Sequence, residues 1–230
     1  SSGISSARLD AEILLAHVLG ISREKLLSNY ALYPKPYTLV RFKKLVTKRT
    51  QNYPIAYLIG SKEFYGIDFY VNENVLVPRP ETELLVEEVL NFCRGEPLCS
   101  PAFGQTRGSA PTILEIGTGS GCISLTLAKY LPKAKITAID ISDKALKVAR
   151  RNLRNIQYPI YNIQFRKSDL LSNVKSLSDI IVANLPYLTR DELREPSITK
   201  EPRLALYGGK DGLELYEKLF KQIKSLRSTL

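Results

Sequence analysis

An α/β fold built on a parallel sheet is predicted by three features of this 230-residue chain. Strand-like and helix-like stretches alternate from Thr112 onward, glycines crowd the first strand-to-helix turn, and unusual polar residues recur where successive strands end. Alternation favours parallel strands because only a crossover helix brings the chain back to start the next strand in the same direction. Ligands of such sheets bind outside the carboxyl ends of the strands.

The elements follow in order. The run A-R-L-D-A-E-I-L-L-A-H-V-L, residues 7–19, has helical apolar spacing, with Ser6 placed as N-cap and Gly20 as the stop. Ser22 is positioned to cap a second short helix through Leu27, and residues 38–50 form a third, amphipathic helix. The third helix sets Leu39, Phe42, Leu45 and Val46 against a basic face of Arg41, Lys43, Lys44, Lys48 and Arg49. Residues 1–60 therefore read as a small helical N-terminal domain. Residues 61–77 read as a linking β-hairpin, because aromatic-rich alternation flanks Gly66 in K-E-F-Y-G-I-D-F-Y-V-N. Pro78 to Glu83 opens a helix to about Phe92, its carboxylates near the positive end of the helix dipole. The Gly/Pro/Ser-rich residues 94–111 read as a flexible loop. The third unit, residues 78–230, then supplies strands at 112–116, 135–139, 162–166 and 179–183, helices ending near Tyr130 and Asn155, and a last helix at 213–226.

Composition narrows the chemistry. Hydrophobic residues make up 44% and charged residues 24%, an ordinary globular profile, and no apolar run reaches the roughly 18 residues a membrane span needs. The expected location is the cytoplasm, or an organellar matrix if a targeting segment precedes the chain, with no membrane partner. Cys93, Cys99 and Cys122 form no C-x-x-C pair and read as structural or free thiols. With His17 as the only histidine, a histidine triad and a multi-histidine metal site are both excluded within this chain, and no metal is expected. The formal charge of +10 favours an acidic partner, so transient contact with RNA or the ribosome is an expectation beside that of a merely soluble basic surface.

The turn E-I-G-T-G-S-G joins the first sheet strand to its helix. Glycine at Gly117, Gly119 and Gly121 lets the backbone turn tightly and lets a ligand approach without a Cβ in the way. Asp140 ends the next strand, where a carboxylate can accept both hydroxyl protons of a ribose. A nucleoside-containing cofactor follows. The dinucleotide fingerprint would need Gly or Ala at Cys122, so the turn instead resembles the first motif of S-adenosylmethionine-dependent methyltransferases, with Glu115 facing cationic groups and Thr118 and Ser120 within the loop.

The strand I-I-V-A ends in Asn184-Leu185-Pro186-Tyr187. The side-chain amide of Asn184 does not titrate near neutrality, so it serves as an acceptor and donor and never as a general base. Its carbonyl can take one substrate N–H, the Leu185 main-chain carbonyl can take a second, and Tyr187 offers a flat face to a planar group. Two acceptors fix the nitrogen and its lone-pair direction, as methyl transfer to a planar nitrogen requires.

This segment resembles the N-P-P-Y motif of methyltransferases that act on amino groups and amide nitrogens. With V-P-R-P-E-T-E at 77–83, E-P-R-L-A-L at 201–206, the helical front and the hairpin, nearly the whole chain is similar to the release-factor glutamine N5-methyltransferase family. The resemblance implies a class I methyltransferase (Rossmann-like) sheet, S-adenosyl-L-methionine as cofactor, and methylation of the glutamine side chain in a Gly-Gly-Gln motif of peptide chain release factors. It further implies that Glu115, Gly117 to Gly121, Asp140 and Asn184 hold the cofactor and that Asp169 and Leu170 border the adenine. Asn184 to Tyr187 would grip the glutamine, with Arg79 and Thr82 near the substrate mouth. Two departures stand out. Leu185 replaces a proline, so weaker preorganisation with retained chemistry is expected, and three further strands expected of class I sheets are missing after Leu230, so the sequence reads as a fragment. The competing readings are an N-methyltransferase for an exocyclic amino group of RNA or DNA, and a non-catalytic cofactor- or RNA-binding relative.

Overall fold

The computed structural model describes residues 6–28, 34–94 and 110–228. Cys99 and most of the glycine- and proline-rich stretch at 94–111 lie outside them. The N-terminal helices are α1 (Ala7–Leu19), α2 (Arg23–Ser28), α3 (Pro36–Thr50) and the short α4 (Ile55–Ile59). Gly20 closes α1 in the left-handed conformation, φ 68°, where a Cβ would be strained. Ser22 accepts the Lys25 N–H at 3.3 Å and so caps α2. α3 begins two residues ahead of the expected start, because Pro36 at its first position has no N–H to leave unpaired. α4 has only five residues, too short a window for apolar periodicity to reveal. Arg49 of α3 pairs with buried Asp10 of α1 at 2.7 Å and fixes the two helices together.

Strands β1 (Ser61–Phe64) and β2 (Ile67–Tyr70) pair antiparallel around Tyr65 and Gly66, both at positive φ as a two-residue hairpin turn demands. Phe64 and Phe69 are fully buried in the main core and meet edge to face. The hairpin is thus an integral part of the core, beyond its expected role as a link. A short 3₁₀ turn (Pro80–Thr82) runs into α5 (Glu83–Arg94), whose first residue accepts the Tyr65 N–H at 2.9 Å.

The sheet consists of β3 (Thr112–Ile116), β4 (Lys135–Asp140), β5 (Ile163–Lys167) and β6 (Ile180–Ala183), all parallel, in the order β5-β4-β3-β6. α6 (Cys122–Tyr130) and α7 (Asp143–Asn155) make the crossovers, and α8 (Glu214–Ser228) follows the last strand. Alternation along β3 sends Ile113 into the core shared with α5, α6 and the hairpin, and Leu114 and Ile116 into a second core closed by Leu219 of α8. The chain leaves β3 towards β4 and later returns to its other side as β6, so the strand order reverses at β3. This is where a ligand crevice opens in such sheets. Among the described residues no helix is long and apolar enough to cross a membrane.

Candidate active site

Strand register assembles the site. Ile116 lies opposite Ile139 on one side and Ala183 on the other, so the next residues, Gly117, Asp140 and Asn184, emerge side by side at the sheet's carboxyl edge. The Gly117 and Thr118 N–H groups both donate to the Ile139 carbonyl, at 2.9 and 3.0 Å, which folds the glycine loop back over β4. The Gly119 N–H then reaches Asp140 Oδ2 at 2.9 Å, and the Ser142 N–H reaches Oδ1 at 2.8 Å. Each carboxylate oxygen keeps lone-pair capacity for a further donor. Ser142, and not Asp140, caps α7 with its side chain. Burial pushes the Asp140 carboxyl above its ordinary range, opposed by those backbone N–H bonds.

Glu115 is buried in β3, and its Oε2 accepts the Thr118 hydroxyl at 2.5 Å. Burial pushes its carboxyl up to about 7, with hydrogen bonds from Ser124 and Thr118 pulling the other way. A buried acid poised near neutrality ionises readily beside a cation. A cleft of about 420 Å³ is lined by Glu115, Gly117, Thr118, Gly119, Ser120, Asp140, Asp169, Leu170, Asn184, Leu185 and Pro186. Leu170 holds a positive φ of 47°, uncommon for a branched residue, with its carbonyl held by the Ser168 hydroxyl at 2.7 Å. Asp169 pairs with Lys218 of α8 at 2.6 Å.

Gly121 stands apart from the other glycines. It does not line the cleft, and a Cβ there would meet Leu125 at 3.1 Å and Ala149 at 3.2 Å, so its role is the close packing of α6 on α7. Gly117 does line the cleft, at φ +76°.

A second, wider cavity of about 800 Å³ opens beside the first, lined by Tyr187, Leu188, Glu81, Glu195 and Ile198 among others. Arg79, Thr82, Asn184 and Leu185 belong to both walls. Asn184 Nδ2 donates to Thr82 Oγ1 at 3.2 Å, which leaves Oδ1 for an incoming N–H. Arg79 is held by Glu201 at 2.5 Å, and the other oxygen of that buried carboxylate accepts the Val77 N–H at 3.1 Å. The two proline-containing motifs, far apart in sequence, thus meet through one carboxylate.

Known proteins bear on this arrangement. Residues 1–60 match the PrmC N-terminal domain family and residues 102–201 the methyltransferase small domain family. The release factor glutamine methyltransferase of Rhodopirellula baltica is 41% identical over 222 residues, covering 94% of this chain and 72% of that protein. The chain belongs to the release factor glutamine methyltransferase family. A second member, from Chlorobaculum tepidum, is 41% identical over 234 residues, covering 97% of this chain and 76% of its own length. Among solved structures, the hMettl16 catalytic domain superposes with a TM-score of 0.51 at 16% identity, over 84% of this chain and 64% of that one, a likeness of fold.

Three residues important to the site's build had no role that the sequence assigned. Asn152, buried within amphipathic α7, donates to the Ser120 carbonyl at 2.8 Å and exchanges bonds with both main-chain groups of Tyr70, tying the glycine loop to the hairpin. A lone polar residue on the apolar face of α7 was the available hint. Glu201 opens the E-P-R-L-A-L motif, but its partners, like that of Tyr216, lie in distant segments.

Proposed function

We propose that the protein methylates the side-chain amide nitrogen of the glutamine in the Gly-Gly-Gln motif of a peptide chain release factor, using S-adenosyl-L-methionine. The observation that carries this reading is the shared wall. Asn184, Leu185 and Thr82 stand between a cleft with the acids and glycine loop suited to the cofactor and an open cavity large enough for a peptide side chain. Family membership favours a protein glutamine over a nucleic-acid base.

The cleft fits the cofactor by its donor set. Asp140, with lone pairs left open, would hold the ribose hydroxyls, buried Glu115 would supply a carboxyl to the cationic groups, and Leu170 with Asp169 would border the base. When bound, S-adenosylmethionine supplies an electrophilic methyl group carried on a sulfonium. Asn184 Oδ1 and the Leu185 carbonyl accept the two N–H bonds of the substrate amide. They draw density toward nitrogen, oppose amide resonance and aim the lone pair at the cofactor cleft. Thr82 keeps the Asn184 amide in the orientation that exposes Oδ1. Tyr187, 60% exposed on the outer cavity, presents its ring to the flat amide. The proton released on methylation leaves to solvent, because no side chain of the grip is a base near pH 7.

The N-terminal helical unit serves substrate recognition in this reading, and the enzyme works in the cytoplasm. Exposed Lys43 and Lys44 of α3 supply a cationic face for transient contact with ribosomal RNA. The deciding experiment is transfer of labelled methyl from S-adenosylmethionine to a purified release factor, with mapping of the modified residue. Label on the Gly-Gly-Gln glutamine supports the proposal, and label confined to another substrate refutes it.

A further inference from the structure

The segment from Leu206 to Tyr216 is not part of the grip, yet it packs along its main chain. The Leu188 N–H donates to the Leu206 carbonyl at 2.9 Å, and the Gly208 N–H returns a bond to the Leu188 carbonyl at 2.9 Å. A Cβ on Gly208 would sit 2.5 Å from the Pro186 carbonyl oxygen and 2.6 Å from Tyr187 Cα. One on Gly212 would sit 2.2 Å from the Tyr187 carbonyl oxygen. No real side chain tolerates such distances to backbone, so glycine is required at both places for the segments to touch. Glu214 closes the loop on itself, its N–H donating to the Gly208 carbonyl at 3.1 Å and its Oε1 accepting the Lys210 N–H at 2.7 Å. Beyond the loop, the Tyr216 hydroxyl of α8 donates to the Leu185 carbonyl at 3.3 Å.

We infer that residues 206–216 form a splint for Asn184–Tyr187, and that Tyr216 is a positioning residue that sets the direction of the Leu185 carbonyl. A carbonyl oxygen has two lone pairs, so a donor fixed on one leaves the other pointing in a defined direction. Where the related motif carries proline, the ring stiffens the main chain from within. Leu185 has no such ring, and Tyr216 supplies the restraint from outside. Burial raises the Tyr216 phenol, which therefore stays a donor across the working pH range.

The inference rests on the proposed role of the Leu185 carbonyl, and its test separates the two. The unaltered chain and Tyr216→Phe are compared for kcat and KM on release factor, for cofactor affinity by calorimetry, and for thermal midpoint. The expected result is a kcat lowered about two- to twelvefold, the worth of one neutral hydrogen bond, with cofactor affinity nearly unchanged and the thermal midpoint lowered by no more than a few degrees. In a Leu185→Pro background, the same change should cost less than about twofold, because the ring fixes φ at that position and so narrows the directions open to the carbonyl. A Tyr216→Phe enzyme with full kcat, or a penalty undiminished beside proline, overturns the splint. Failure of the unaltered chain to methylate any release factor instead counts against the function itself.

Discussion

Replacing Asn184 by alanine removes the side-chain acceptor while leaving the cleft's glycines and acids in place. A preorganised polar contact at a reacting centre is worth roughly 2.7 to 4 kcal/mol, so turnover should fall about 10²- to 10³-fold. Thr82→Val is the subtler partner change. It deletes one neutral bond, the 3.2 Å contact that orients the Asn184 amide, and should cost about 0.5 to 1.5 kcal/mol, or roughly two- to twelvefold in turnover. Thr82→Ser should restore it. Because Thr82 acts through Asn184, Thr82→Val should add almost nothing to Asn184→Ala, and a methyl-transfer assay on all four proteins measures that coupling. Cofactor affinity by calorimetry should stay within a few-fold throughout. If Asn184→Ala lost cofactor binding in proportion to its activity while folding normally, or if the two penalties simply summed, the division between grip and cofactor cleft would be wrong.

Asp140→Ala should weaken cofactor affinity by about tenfold or more, since it removes a carboxylate acceptor and also frees the Gly119 and Ser142 N–H groups that shape the loop; calorimetry reads the loss. Glu115 has a folded pKa raised to about 7, above its unfolded value of 4.5, so the folded state holds its proton longer and this group's contribution is lost as pH rises between those values. Glu115→Gln should therefore flatten the fall in unfolding free energy from about pH 5 to 7, by on the order of 3 kcal/mol at most, and an unchanged slope in urea titrations across that range would reject the assignment. Glu201→Ala should lower stability by about 1.5 to 3 kcal/mol in urea titration, because the Val77 N–H and one end of Arg79 both lose a charged partner, with the exposed side of Arg79 softening the effect.

Much of the site was readable from local pattern. The strand at 112–116, the glycine turn and Asp140 sit where alternation of strand and helix puts them, because each depends on residues near in sequence. Asn184 to Pro186 reach the cleft beside the glycine loop for the same reason, at the end of a four-residue apolar strand. Gly121 shows the limit of that logic. Its spacing matches its neighbours, but it packs against Leu125 and Ala149 while Gly117 and Gly119 line the cleft. Thr82 could be placed near the mouth from its motif, whereas its bond to Asn184 spans a separation that no periodicity encodes.

By itself the sequence determined the alternating architecture, the cofactor class and the uncharged residues of the proposed grip, since these follow from backbone preferences and from the chemistry of residues adjacent in the chain. Only the tertiary structure decided how that grip is held: Thr82 on the amide, Glu201 beneath Arg79, Asn152 behind the glycine loop and Tyr216 on the Leu185 carbonyl. Hydrogen bonds have a range of about 3 Å, so they couple residues only after the fold has brought distant segments together.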